Sequence, residues 1–228
     1  MEFDGSLAPG HRRRKISVPP SGVLVVRGKL NTSFHRPDLL SAEESDRSNS
    51  ISLKRIKNRF VERRVFLRIL LAEVTGFDPA AFQFTYTPRG KPRLSEPAAA
   101  RHLEFNLTHS EDRVLVALAL GFPVGVDIER IDPGTHLAEI EELFFGIDLP
   151  LSGRSAAARA RIATEWWVGT EALQKAFGAG MAPLFSESAP VDAPNVGGFR
   201  VRPVEVDAGY VGAVAAHGSG WSLEVSEW

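Results

Sequence analysis

The 228 residues contain no cysteine. That absence removes disulfides, zinc sites with thiolate ligands, iron–sulfur clusters and a cysteine nucleophile together, so any bound metal must be held by oxygen or imidazole. Charge of one sign is also lacking. The 27 Lys and Arg nearly balance 28 Asp and Glu, for a formal net charge of -1 and a pI near 6.6, and leave no global field to draw in nucleic acid or an anionic membrane. Long apolar runs are missing as well. The longest mostly apolar stretch, Val114 to Val124, contains Pro123 and falls well short of the ~20 residues that span a bilayer. The amino end carries a basic run, His11 to Lys15, without the apolar core of a secretory signal. The expectation is a soluble cytoplasmic protein with no nucleic-acid or membrane partner.

What is present is ordinary globular composition, with 43% hydrophobic and 24% charged residues, enough to bury a core in one large domain or two small ones. Residues 1–21 mix Gly, Pro, Arg and Ser without periodicity and read as a flexible tail. Structure is expected from Val23, where GVLVVRGKL forms a β-branched run. Between Ser52 and Val74, apolar residues from Ile56 to Leu71 recur at helical spacing while Lys54, Arg55, Lys57, Arg59, Arg63, Arg64 and Arg68 cover much of the rest, which predicts a long helix whose basic face reads as solvated, with a landing site for phosphates or an acidic partner as the alternative. Strands are expected at FQFTY, LEFNLTH, VLVALAL and PVGVDIE. A second helix follows from about Ala156 to Phe177, its stripe formed by Ile162, Trp166, Leu173 and Phe177, and strands return near Phe199 to Val206, Tyr210 to Ala215 and Trp221 to Val225. The pattern reads as α+β in two similar halves, 22–122 and 123–228, with a ligand cleft between them.

In PVGVDIE, strand alternation puts Val124, Val126 and Ile128 on one face and the carboxylates of Asp127 and Glu129 on the other, a spacing that suits a hard divalent cation. Glu171 and Lys175 lie one helical turn apart and can face one polar site. Upstream, Lys91 stands beside a Gly-Pro turn, and Thr108, His109 and Ser110 end a strand. Each feature taken alone also fits a plain structural role.

Their joint order carries more weight. Gly90-Lys91-Pro92, then Phe105-Asn106-Leu107-Thr108-His109-Ser110, then Gly125-Val126-Asp127-Ile128-Glu129, then Trp167 with Glu171-Ala172 and Lys175, resembles the 4′-phosphopantetheinyl transferases of the surfactin-synthetase-activating type. The resemblance covers about residues 23 to 215. It implies a pseudo-dimeric monomer that moves the phosphopantetheine arm of coenzyme A to a serine of an apo acyl or peptidyl carrier protein and releases adenosine 3′,5′-bisphosphate. It implies Mg2+, with Mn2+ as substitute, held by Asp127, Glu129 and Glu171. Glu171 would also take the serine proton, Lys175 would contact the pyrophosphate, and Arg59, Lys91, Thr108, His109 and Ser110 would grip the adenosine bisphosphate end. One departure stands out: Thr170 occupies the place of a family lysine, where its hydroxyl could still bond a phosphate oxygen. That substitution motivates an alternative, a non-catalytic homologue that binds carrier protein or coenzyme A.

Overall fold

A run such as GVLVVRGK has no polar alternation, so a strand made from it needs cover on both faces. The computed structural model describes residues 16–88, 90–132, 151–178 and 197–228, and in it β1 (Gly22–Lys29) has that cover. Leu24 and Val26 pack into one apolar cluster, Val23 and Val25 into another. β5 (Arg113–Leu120) divides in the same way: Val114, Val116 and Leu118 face the first cluster, and Leu115, Ala117 and Ala119 the second.

β1 pairs antiparallel with β5, which pairs antiparallel with β4 (Leu103–Ser110), while β9 (Ser222–Glu227) joins the other side of β1 in parallel. β9 belongs to the expected second half of the chain, yet it completes the sheet of β1. A second sheet has β6 (Val124–Arg130) and β7 (Phe199–Val204) on either side of β8 (Tyr210–His217), all antiparallel. β2 (Gln83–Tyr86) and β3 (Pro92–Glu96) form a hairpin around the Gly-Lys-Pro turn, and β3 was not anticipated from sequence.

The helices close the outer faces. α1 (Ala42–Asn49) opens with a capping box between Ser41 and Glu44. α2 (Lys54–Thr75) lays Val61, Val65, Leu67 and Leu70 on the four-stranded sheet and ends at Gly76, whose φ of 78° provides the left-handed cap. α3 (Ala156–Phe177) starts at the Ser155 cap and covers the three-stranded sheet. The layers run helix, sheet, sheet, helix, and the fold is α+β. No helix among the described residues is long and apolar enough to cross a membrane.

Three expectations need correction. Arg68 is not on a solvated face: it is fully buried, with its Nε 2.9 Å from Glu44 Oε2 and an Nη donating to the Pro79 carbonyl. Periodicity marks which residues share a helix face, but a carboxylate from another helix decided that this cation could be enclosed. The buried stripe of α3 consists of Ala160, Ala163, Val168, Ala172, Leu173 and Ala176, whereas Phe177 is exposed and Trp166 and Ile162 are only half-buried. Small residues are selected because α3 comes very close to β6. Lastly, Ile16 and Val18 of the expected tail pack against the core; residues 1–15, with the basic run, lie outside the described residues.

The close approach is set at Gly125. A Cβ there would lie 2.2 Å from the Ala172 carbonyl oxygen and 2.3 Å from the Ala176 nitrogen, both backbone atoms that cannot swing aside. Gly125→Ala is therefore expected to lower stability by about 2–3 kcal/mol or more, read as a drop in the urea midpoint. An unchanged midpoint would show that α3 can back away from β6.

Candidate functional site

β4 and β6 are edge strands of different sheets, and they meet through side chains rather than through a backbone ladder. Asn106 Oδ1 accepts the Val126 N–H at 2.9 Å, and Ser110 Oγ accepts the Arg130 N–H at 3.1 Å. Asn106, Thr108 and Ser110 share one face of β4; Asn106 and Thr108 stand opposite the apolar Ala117 and Leu115 of β5, and Ser110 opposite Arg113. Thr108 donates its hydroxyl to Asp127 Oδ1 at 2.8 Å and Ser110 to Glu129 Oε2 at 2.9 Å. These hydroxyls orient the two carboxylates of β6.

Asp127 is 2% exposed and points at α3, where Lys175 Nζ lies 2.6 Å from its Oδ1. The same ammonium is 3.8 Å from Glu171 Oε2, one turn earlier on the helix. Asp127 Oδ2 is buried with no hydrogen-bond partner. Burial pushes the Glu171 carboxyl above its usual range and the nearby charge of Asp127 pushes it further, while Lys175 pulls it back. A carboxylate held in this way is a better proton acceptor than one in water.

A hard cation fits part of this set. Asp127 and Glu171 supply anionic oxygens around a position already favourable to positive charge, and Asp127 Oδ2 is an acceptor in want of a partner. Glu129, expected as the third ligand, accepts the Ser110 hydroxyl at Oε2. Among the described residues, no three acidic or histidine side chains converge closely enough to hold a metal ion.

The opposite face of β4 looks toward α2. His109 is half-buried there, held down to about 4 first by burial and then by the charges of Arg63 and Arg59. Arg59 bonds Glu62 at 3.0 Å and the Leu30 carbonyl at 3.3 Å. Beside them lies a cavity of about 220 Å³ lined by Arg47, Phe60, Arg63, Arg64, Pro92 and Leu107 among others. Arg63 is brought down to about 10 by burial and by the neighbouring charges of Arg64, Arg59 and Arg47. Three guanidiniums at one partly apolar cavity form a ready anion site. Sequence reasoning did not single out Arg47, Arg63 and Arg64 as a set. Arg59 and Arg63 at i and i+4 were a visible signal, but Arg47 comes from α1, beyond the reach of helix periodicity.

Lys91 and Thr170 are both enclosed. Lys91 is buried, and its ammonium donates to the Val124 carbonyl at 2.9 Å, with the Ala176 carbonyl at 3.5 Å, so it ties the β2–β3 hairpin to β6 and to the carbonyl end of α3. Thr170 is 7% exposed and its Oγ1 is enclosed without a partner, so the hydroxyl does not face a solvent-open phosphate site.

The depressed His109 makes a testable contribution to acid stability. An unfolded histidine takes up a proton near its ordinary 6.5, while the folded one waits until about 4, so the folded state is progressively disfavoured as pH falls from 6.5 towards 4. His109→Gln should flatten that limb of a plot of urea midpoint against pH. Wild-type and variant curves that run parallel across the window would overturn the assignment.

No family model matches the chain. Individual relatives do. It is 30% identical over 193 residues, 80% of each chain, to the 4′-phosphopantetheinyl transferase HetI of Nostoc sp.. A protein of Synechocystis sp. that carries the same activity in its name is 30% identical over 174 residues, 75% of this chain and 70% of that one. The phosphopantetheinyl transferase of Thraustochytrium sp. is 30% identical over 158 residues, 62% of this chain and 54% of its own length. Identity at that level across four-fifths of both proteins shows that this chain belongs to the 4′-phosphopantetheinyl transferase family.

Proposed function

We propose that the protein transfers the 4′-phosphopantetheine arm of coenzyme A to the serine hydroxyl of an apo acyl or peptidyl carrier protein, releasing adenosine 3′,5′-bisphosphate. The observation that carries this reading is the placement of two carboxylates, the buried Asp127 and the half-buried Glu171, around one lysine, on the side of β4 opposite an arginine-lined cavity. A pyrophosphate ester of a nucleotide needs both features: cations for its charged end and a carboxylate near the phosphorus that is attacked.

In the reaction the serine oxygen forms a bond to the phosphorus that bears the pantetheine arm, and the P–O bond to the 5′-phosphate of the nucleotide breaks. The serine proton passes to Glu171, directly or through a water, which its raised affinity for protons favours. Lys175 supplies positive charge to the pyrophosphate oxygens. Asp127 and Glu171 would hold a divalent cation, Mg2+ or Mn2+, which neutralises charge on those oxygens when bound. Thr108 and Ser110 serve as positioning residues for Asp127 and Glu129. His109, neutral and flanked by Arg59 and Arg63, together with the guanidiniums of Arg47 and Arg64, would receive the adenosine bisphosphate end. Lys91 contributes by fixing the hairpin beneath that end. The expected monomer and the pseudo-dimeric relation between halves remain part of this proposal.

Two expected outcomes follow from the assigned roles. Asp127→Asn and Glu171→Gln should each reduce transfer at least ~1000-fold, measured as the phosphopantetheine mass added to an apo carrier with Mg2+ and coenzyme A, since each removes charge at the reacting centre. Wild-type turnover by either variant would sink the site. Arg63→Ala should raise KM for coenzyme A about 10- to 100-fold while kcat changes little, because Arg63 is assigned to the part of the substrate that does not react. A fall in kcat with unchanged KM would move Arg63 to the reacting centre. A chain that binds coenzyme A but adds no mass to any apo carrier would support the non-catalytic alternative.

A further inference from the structure

Asp127 presents an energetic problem that its surroundings solve in an informative way. A carboxylate only 2% exposed must be compensated, because the interior cannot hydrate it. One oxygen, Oδ1, takes two donors, the Thr108 hydroxyl and the Lys175 ammonium, while Oδ2 has no hydrogen-bond partner among the described residues. The two donors differ in kind. Thr108 is fixed on the β4 edge and is itself buried. Lys175 reaches in on a flexible stem with its side chain 30% exposed, and it also spans the gap to Glu171. Among the described residues, the charge that balances these two carboxylates is thus carried by a group that can leave without unfolding a strand.

We propose that Lys175 is an exchange cation for this site. Its ammonium, 2.6 Å from Asp127 and 3.8 Å from Glu171, balances the charge of both carboxylates. A divalent cation binds the same carboxylates only by displacing it, because two positive centres sharing one buried carboxylate repel. The displaced ammonium then needs a new anion, and the pyrophosphate of the substrate is the one that the transfer reading above provides; the identity of that substrate rests on that reading. Two consequences follow. Metal binding in the absence of substrate is weakened by the competing ammonium. Metal and coenzyme A also strengthen each other's binding, by the same factor in either order.

The test is calorimetric titration of Mg2+ alone into the full chain at low salt, for wild type, Lys175→Met and Lys175→Arg. Removing the competitor should tighten Mg2+ binding about tenfold or more in Lys175→Met, as expected when a binding-competent state is no longer a minor one, while Lys175→Arg keeps the weak wild-type affinity. With coenzyme A present, Mg2+ affinity should rise in wild type and rise much less in Lys175→Met. Equal or weaker Mg2+ binding by a folded Lys175→Met, or a coupling to coenzyme A unchanged by it, would overturn the proposal. If Lys175→Met is unfolded without metal, Mg2+ must restore its circular dichroism and raise its melting temperature more than that of wild type; failure to do so counts equally against exchange. None of these readouts needs transfer. A wild type that shows the exchange but modifies no carrier would fault the transferase reading alone.

Discussion

The structure depends on how the edge of β6 is satisfied. An edge strand presents a row of unpaired backbone groups, and burying it requires a partner for each. Here the partners are the side chains of Asn106 and Ser110 on β4, which take the N–H groups of Val126 and Arg130. Because the bridge is made by side chains and not by a ladder, the face of β4 toward β6 must be polar, and the same column can place Thr108 against Asp127 and Ser110 against Glu129. Joining the two sheets and aiming the carboxylates are one interaction.

The approach of α3 completes the arrangement. Gly125 has no side chain, which lets the backbone at Ala172 and Ala176 come down onto β6 and brings Glu171 and Lys175 to Asp127. Lys91 closes the far end by donating to carbonyls of β6 and α3 together. A helix packed at ordinary distance over a bulkier residue would carry Lys175 away from Asp127, and the buried carboxylate would lose its counter-charge. Packing and electrostatics therefore constrain the same few positions.

On the other side of β4, the basic character of α2 splits by environment. Arg68 is fully enclosed because Glu44, already fixed by its capping box, meets it with a carboxylate. Arg63 sits five residues earlier at the cavity, its bond to the Arg59 carbonyl involving no opposite charge, with burial and neighbouring like charges bringing it below the ordinary arginine range. Mutual repulsion of that kind is costly in an empty site and is relieved by an anion. Residues with the same side chain on one helix thus divide into a buried ion pair and a cluster of like charges at a cavity.

Much was legible before the fold. Alternation of Val124, Val126 and Ile128 with Asp127 and Glu129 assigns the two faces of β6, because a strand leaves a side chain no other choice, and the four-residue spacing of Glu171 and Lys175 puts them on one side of α3. The two long helices fall within two residues of the expected spans for the same reason: period and caps are local. Tertiary structure alone decided which charges met. Asp127 and Lys175 are 48 residues apart, and Glu44 and Arg68 are 24 apart. The burial of Arg68, the backbone duty of Lys91, the enclosure of Thr170 and the gathering of Arg47 with Arg63 and Arg64 all turn on which element packs against which. A local pattern fixes the direction of a side chain relative to its own backbone; the neighbour that sets its solvation and its counter-charge arrives from a distant part of the chain.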